Sequence, residues 1–550
     1  MNGRGSKVEF RLNATAVMQE AAKLREEDQR RELLESRILP PSCNLDPLFP
    51  PLSIREYEAM ERDRGKYLLY MTALFAATAK VISQRTTMKE EDVLLRYFVL
   101  GPGLGRLISF CVEAARHFGV GFQVHALEAN PRSVEFLKQR FKSEQEDGLV
   151  VLHPPCTLHA AAVSLSYQEG NQEQEAIANE ELPSSLLPHL QSFDIIVAEV
   201  LGSFGDNEFL PELMHRANRL FAKSDGSAIT IPSWWATYVA PIHSPSLYDT
   251  VIQQAKRLAT TYKQRARNMG RKQPPTKKQK SRHGNEVENA VQAQEQHEEE
   301  RDKRCTSERE EEESEEKVKE EEEAIHKRLQ RFYVTALPPD AYFLAQPKML
   351  YSFDCTVTPQ TTYAGSVAFS IDSSSSLPSC HHHSNGELVV HGFVGYFRCG
   401  LFEDLHIDSI QGSSTQNTYH WESFFFPLVQ PIPFPSVKDR EGNDSSSPPY
   451  KTQLTTIQLQ LFRQTEHLPQ SPFLQRSSSS STFSSAAASN IEKEPQKEKE
   501  REYNEEEKEE LVVRRMAVWY EWQVSHRSGN VVTSNTILHN MGGKHHCLYL

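Results

Sequence analysis

The stretch LLRYFVLGPGLGRLISFCVEAARHFGVGFQVHALEANPRSVEFLKQRF, residues 94–141, decides the fold. LLRYFVL (94–100) is a short apolar run that reads as a buried strand, and ISFCVEAARHF after it reads as a helix. FQVHALE (122–128) and PRSVEFLKQRF repeat the pair. Further on, FDIIVAEVL (193–201) supplies another strand. Strands alternating with helices predict a parallel, doubly wound sheet.

Upstream, residues 53–85 carry apolar side chains near a 3.6-residue period (Tyr67, Leu68, Tyr70, Met71, Leu74, Phe75) and predict a helix. Residues 1–44 are charged, with AAKLREEDQRRELLESR reading as a solvated helix with little apolar face, a peripheral arm. Residues 45–228 are then expected to form one α/β domain with its N-terminal helix. Beyond Ala228 the segments TIPSWWATYVAPI, YVTALPP, GSVAFSI, GELVVHGFVGYF, TTIQLQLF and VWYEWQV are rich in aromatic and β-branched residues. They predict an antiparallel β domain over 229–550. Low-complexity tracts at 264–325, 372–386, 437–449 and 469–509 interrupt it and are expected to be disordered insertions, since Glu/Lys and Ser/Pro runs bury too little surface to order themselves.

The formal net charge of -13 is local in origin. Between Asn285 and Ile325 eighteen acidic side chains face six basic ones, a balance of -12, so the remainder is near neutral and the acidity implies no preference for basic partners. The eight cysteines show no CxxC pair and read as reduced thiols, with no metal site expected. No apolar run approaches the roughly 20 residues that span a bilayer. MNGRGSKVEF lacks the apolar core of a secretory signal. A soluble intracellular protein is expected, without membrane or direct nucleic-acid binding. RKQPPTKKQK (271–280) reads either as a nuclear-import signal or as a basic linker, so cytoplasm and nucleus are the expected locations.

Gly101, Gly103 and Gly105 end the first strand before a helix begins. Alone they describe a tight strand-to-helix turn as readily as a ligand site. Glu128, at the end of the next strand and 23 residues after Gly105, is where an acidic side chain accepts hydrogen bonds from ribose hydroxyls. Together the two motifs indicate an adenosine cofactor without saying which. AEVLGSFGDNE (198–208) places Glu199 and Glu208 in a loop after an apolar strand, on the side of the sheet where ligands bind. Two carboxylates converging in a sheltered site repel each other and call for a cation, and the fork of a guanidinium matches them.

This string resembles the double-glutamate loop of the protein arginine methyltransferases. VLGPGLG, LEANP, LGSFGDNE, HGFVGYF (391–397), FPLVQPI (426–432) and VWYEW (518–522) are similar, in order, to the symmetric-dimethylating branch of that family. The resemblance implies a Rossmann-like S-adenosylmethionine-dependent domain followed by an antiparallel β-barrel. It further implies methylation of arginine in histones and Arg/Gly-rich tails, S-adenosylhomocysteine as by-product, and a homodimer. Carried over by position, Tyr57, Lys66 and Tyr67 belong to a helix folding over the cofactor, with Lys66 and Tyr67 holding its methionine carboxylate. Gly101, Gly103 and Gly105 lie beneath it, Glu128 takes the ribose, Glu199 and Glu208 grip the substrate arginine, and Trp421 stacks on the guanidinium.

Three features depart from the family pattern. Pro155 and Cys156 stand where an Asp-Met pair contacts adenine, leaving Cys156 as the position nearest that ring, and Leu104 replaces the arginine of the glycine turn. Met60 stands where the symmetric branch has phenylalanine and the asymmetric branch methionine. The overall resemblance points to mono- and symmetric dimethylarginine, Met60 with His420 before Trp421 and Asp63 placed to pair with it leaves the asymmetric isomer open, and a catalytically inactive arginine-binding scaffold is the other alternative. About 45 residues precede the resemblance. The N-terminal barrel of the symmetric branch is therefore expected to be absent, and a WD-repeat partner loses its docking domain.

Overall fold

The computed structural model describes residues 12–31, 38–39, 52–88, 94–155, 184–270, 318–319, 321–360, 362–372, 388–410, 421–434, 454–468, 515–528, 531–535, 537–543 and 547–549. The chain opens with α1 (Ala14–Arg31) and a two-residue strand, β1 (Ile38–Leu39). α2 (Ile54–Met60) begins at a reciprocal cap: the Ser53 Oγ accepts from Glu56 N, and the Glu56 carboxylate accepts from Ser53 N at 2.6 Å. α3 (Arg64–Met88) follows, and Asp63 caps it by accepting from Lys66 N at 2.9 Å.

The predicted alternation is present. β2 (Leu95–Leu100), α4 (Arg106–Phe118), β3 (Phe122–Leu127), α5 (Pro131–Arg140), a short α6 (Lys142–Glu146) and β4 (Val150–Leu152) come first. β5 (Ile195–Ala198), α7 (Leu210–Phe221) and β6 (Ile229–Ile231) complete a parallel sheet ordered β4-β3-β2-β5-β6. The strand order reverses direction beside β2, so a crevice opens at the carboxyl ends of β2 and β5. Helices on both faces keep β2, β3 and β5 almost wholly buried, which is why they read as continuous apolar runs. α4 turns Leu107, Ile108, Cys111, Val112 and Ala115 inward and ends at Gly119, whose φ of 65° is the left-handed cap glycine favours.

Two antiparallel sheets follow. β7 (Trp234–His243), β8 (Tyr333–Thr335), β9 (Tyr342–Phe343), β10 (Lys348–Asp354), β12 (Leu388–Phe402), β13 (Leu405–Asp408) and β14 (Ser423–Phe434) join β1 in an eight-stranded sheet. β11 (Thr362–Asp372), β15 (Leu454–Leu468), β16 (Arg515–Ser528), β17 (Val531–Asn535) and β18 (Leu548–Tyr549) make a five-stranded one. Among the described residues the ladders of the expected antiparallel domain form these two sheets. The edges β10 and β11 come close, where a Cβ on Gly365 would stand 2.8 Å from the Leu350 carbonyl oxygen. Inner faces meet through aromatic rings, with Phe426 5.3 Å from Trp522 and Phe424 5.6 Å from Tyr520. One apolar core runs from the parallel sheet through Leu201, Phe204 and Phe209 into Phe397, Phe424 and Tyr520.

Several expectations are corrected. The N-terminal arm is docked: Ala21 of α1 is fully buried, Val17 and Met18 pack on the core, and Glu27 pairs with Arg64 of α3 at 3.1 Å. Val17 and Met18 precede the charged string on which the sequence reading rested, and Ala21 opens it. The parallel sheet runs past the expected boundary at 228 to include 229–231, because ITI pairs with β5 before the chain turns at Pro232. A helix, α8 (Pro245–Gly270), enters the segment expected to be disordered from 264, and residues 321–329 are helical, with Lys256 and Glu321 2.9 Å apart. Apart from 318–319, the rest of 264–325 lies outside the described residues, as do 373–386, 437–449 and 469–509.

At Gly105 the φ of 98° and the tight packing coincide, since a Cβ there would lie 2.4 Å from Phe141 Cε2 and 2.8 Å from Leu137 Cδ2. Gly148 has φ of 69° with nothing within 4 Å. Gly105→Ala is expected to cost about 3 kcal/mol from strain and overpacking, against about 1 kcal/mol for Gly148→Ala from strain alone. Paired urea denaturations measure the difference, and equal costs would refute the packing constraint.

Candidate active site

The crevice beside β2 collects the glycine turn, the end of β3 and the loop after β5. In the turn, Gly101 lies so close to that loop that a Cβ would meet Val200 Cγ1 at 2.8 Å. Gly103 faces the Tyr57 ring of α2, 3.3 Å from where a Cβ would stand. Ser133 Oγ donates to the Gly103 carbonyl, tying the turn to α5. α2 is also held by Asn130, whose Nδ2 donates to the Leu52 carbonyl at 2.9 Å and to the Tyr57 hydroxyl at 3.4 Å. Glu61, just after α2, lies 3.6 Å from Arg106 Nε and 3.9 Å from Arg140 Nη1.

Glu128 is buried, and each of its oxygens is fixed by a backbone donor: Gly103 N at 2.9 Å and Asn130 N at 2.9 Å. Burial raises its pKa, these donors oppose the rise, and Glu199 adds to it. The carboxylate is thereby oriented at the strand end, and among the described residues no cation is paired with it.

Glu199 follows β5, whose last carbonyl, that of Ala198, accepts from the buried Tyr70 hydroxyl at 2.9 Å. Its Oε2 lies 3.4 Å from the ammonium of Lys66, a side chain with no exposed surface. That ammonium also lies 4.5 Å from the Tyr67 ring centre and 5.3 Å from the Trp421 ring centre. Burial alone would lower the Lys66 pKa, but Glu199, Tyr67 and Asp63 outweigh it and keep the ammonium charged. Burial lifts the Tyr67 hydroxyl to about 12 against the pull of Lys66, and it raises Tyr57 as well, so both phenols stay protonated. Glu208 is pushed up to about 8, by burial first and by Glu199 second, with Lys66 drawing it down.

The loop from Glu199 to Phe209 is fastened to the β domain. Trp421 donates from Nε1 to the Leu201 carbonyl at 2.7 Å and packs edge-on to Phe397 at 5.0 Å. Phe204 is fully buried between Phe424, Phe426, Tyr351 and Tyr520. Asp206 accepts from the Tyr520 hydroxyl at 2.6 Å and lies 3.1 Å from Arg463 Nε.

Tyr57 thus lies against Gly103, Gly103 N on Glu128, Lys66 against Glu199, Tyr67 and Trp421, and Glu208 in the field of Glu199 and Lys66, whereas Gly105 packs on Leu137 and Phe141 and Met60 ends α2 one turn after Tyr57. Cys156 and His420 lie outside the described residues, as does the expected pairing of His420 with Asp63. Sequence reasoning did not single out Arg463, Asp206, Tyr520 or Asn130. Asp206 stood inside the quoted loop, and Arg463 sits at an inward position of TTIQLQLFR, which was the available signal.

Two segments of the chain match known families. Residues 28–229 match the family of PRMT5 arginine-N-methyltransferases, and residues 310–441 match the PRMT5 oligomerisation domain. The chain is 27% identical to protein arginine N-methyltransferase 5 of Oryza sativa subsp. indica over 396 residues, 71% of this chain and 44% of the relative. It is 32% identical to the Xenopus laevis protein of the same name over 208 residues, 38% of this chain and 27% of that one. The chain therefore spans less than half the length of these relatives. Among solved structures, protein arginine methyltransferase 10 of Arabidopsis thaliana aligns with a TM-score of 0.46 at 12% identity, covering 90% of this chain and 99% of that one.

The raised pKa of Glu208 makes folding pH-dependent. The folded state holds this proton more tightly than the unfolded state does. The resulting stabilisation is complete below the unfolded carboxylate's pKa and is lost as pH rises through about 8. In the ligand-free protein, Glu208→Gln is therefore expected to gain on the parent by roughly 2 kcal/mol between pH 6 and pH 9, read from paired melts. A pH-independent difference between the two would contradict the raised pKa.

Proposed function

Because this chain is PRMT5-like in both matched segments, we propose that it transfers methyl groups from S-adenosylmethionine to arginine side chains of other proteins. One observation carries the reading. Glu199 and Glu208 share a crevice with a buried cation and the Trp421 ring, at the carboxyl edge of a parallel sheet whose glycine turn and Glu128 suit an adenosine.

The residues present fit the cofactor. Glu128, with both oxygens oriented by Gly103 N and Asn130 N, would take the ribose hydroxyls. Lys66 and Tyr67 would hold the methionine carboxylate, and the Gly101–Gly105 turn and Tyr57 would enclose the body of the molecule. When bound, the group supplies a methyl carbon on a sulfonium, an electrophile that needs no metal to be attacked.

The chain's own residues prepare the nucleophile. An arginine side chain has a pKa above about 12, so it arrives protonated. Glu199 and Glu208 accept its N–H bonds and draw positive charge onto the nitrogens they hold, leaving electron density on the attacking nitrogen. Trp421 offers its face to the guanidinium plane. Methyl transfer would form the N–C bond as the methyl–sulfur bond breaks to leave a neutral thioether, and Glu208, pushed up to about 8 in the ligand-free crevice, would be suited to receive the proton the nitrogen gives up.

The substrates proposed are histones and Arg/Gly-rich tails. Symmetric dimethylarginine is the proposed product, supported by the PRMT5 likeness, and Met60 is the residue that favours the asymmetric isomer. The match of 310–441 to an oligomerisation domain supports self-association, with a homodimer as the proposed form. Action in nucleus and cytoplasm rests on the basic run 271–280.

Incubation of the full chain with S-adenosylmethionine and an Arg/Gly-rich peptide is expected to give methylated arginine by mass spectrometry, and fragmentation separates the two isomers. Absence of methylation alongside measurable cofactor binding would defeat the proposal. Glu208→Gln is expected to keep its affinity for S-adenosylhomocysteine within about twofold while turnover falls at least roughly 100-fold. For the parent, kcat/KM should rise with pH to a plateau above about 8, as Glu208 of the free enzyme ionises.

A further inference from the structure

Arg463 is the one arginine among the largest fully buried side chains, and it stands in β15, far along the chain from the crevice. Its guanidinium reaches out of the five-stranded sheet to the loop that carries Glu208. Nη1 and Nη2 donate to the two oxygens of Glu212 at 2.9 and 3.0 Å, a paired grip on the first turn of α7. Nε lies 3.1 Å from Asp206 Oδ2 as an ion pair, and Nη2 donates to the Asp206 carbonyl at 3.4 Å. The other Asp206 oxygen accepts from the hydroxyl of Tyr520, the cross-strand partner of Arg463 on β16. Tyr351 of β10 donates to Oδ2 at 3.4 Å.

Glu208 lies between these two anchors, two residues after Asp206 and four before Glu212. Its neighbours are equally constrained. Asn207 Oδ1 accepts from Phe204 N at 2.9 Å, and Phe209 sits at φ of 61° with its N–H on the Asp206 carbonyl at 3.2 Å. A left-handed phenylalanine is a costly conformation that persists only where the surroundings dictate it.

We propose that Arg463 is a positioning residue for Glu208: by clamping Asp206 and Glu212 it sets where the Glu208 carboxylate stands to meet a substrate guanidinium. The inference rests on the reading of the crevice as an arginine site. Without the guanidinium, two buried carboxylates lose their cation and the loop between them moves. Lysine, a single point of charge, holds one of the two anchors and not both.

The test uses the full chain with S-adenosylhomocysteine present and an Arg/Gly-rich peptide, its Kd measured by calorimetry. Arg463→Met is expected to weaken peptide binding more than tenfold in the parent but less than twofold in a Glu208→Gln background, because its effect passes through Glu208. Arg463→Lys should fall between parent and Arg463→Met, and the Kd for S-adenosylhomocysteine should stay within twofold in every variant. Equal losses in both backgrounds, or a parent-like Kd in Arg463→Met, overturn the proposal. Should the Arg463 variants fail to fold, Tyr520→Phe keeps the ring and removes one donor to Asp206. It is then expected to weaken the peptide at least threefold in the parent alone, and an unchanged Kd overturns the proposal. A parent chain that neither binds nor methylates the peptide overturns the functional reading instead.

Discussion

The buried contact of Arg463 with Asp206 and Glu212 joins the parallel sheet to the antiparallel sheets, and the geometry of the crevice depends on it. Burying three charges is expensive, and such a cluster is weak evidence for stability in itself. Its consequence is specificity of arrangement. Apolar rings such as Phe204, Phe424 and Tyr520 tolerate small shifts against one another, whereas a forked guanidinium satisfied by two carboxylates tolerates few. Burial pushes Asp206 up to about 6 while Arg463 and Tyr520 pull it back, so the anchor stays ionised at neutral pH through its partners and not through water.

A second consequence concerns the crevice. Glu199, Glu208 and Glu128 bring three acidic groups into a partly dry space, with Lys66 as the cation beside Glu199. Such a site is deficient in positive charge, and a guanidinium is the ligand chemistry that fills the deficit. The aromatic surfaces of Tyr67 and Trp421 around the Lys66 ammonium favour a cation there over a neutral group. On the proposed reading of the crevice, binding strength, substrate choice and nitrogen activation would share one electrostatic origin.

Much of this was legible before any coordinates. Parallel strands buried on both faces are continuous apolar runs, so β2, β3 and β5 were readable, and the glycine turn and Glu128 followed by position. The loop 198–208 disclosed its two glutamates. Other features depended on context that a local window lacks. ITI reads as β whichever sheet it joins, and its pairing with β5 moved the sheet edge beyond 228. α1 seemed a solvated arm because the charged end of its helix was weighed, while Val17 and Met18 lay just upstream and Ala21 at its very start. Closure of the second domain was also undecided by sequence, since β-rich segments alternate alike in a barrel and in two packed sheets.

Arg463 marks the division most sharply. Ile457, Leu459, Leu461 and Arg463 alternate on one face of β15, so the period-2 pattern by itself turned this arginine inward and called for an anionic partner. Which carboxylates would answer, from a loop more than 250 residues earlier in the chain, only the packing of the sheets decided. Sequence alone determined the elements, the residue types able to hold an adenosine and a guanidinium, and the order in which they occur. Tertiary structure decided that Lys66 faces Glu199, that Trp421 braces Leu201 and that Glu208 is held between two clamped anchors. Periodicity and turn chemistry are local properties of a chain, whereas the field and geometry at a buried carboxylate are set by groups that only folding brings near.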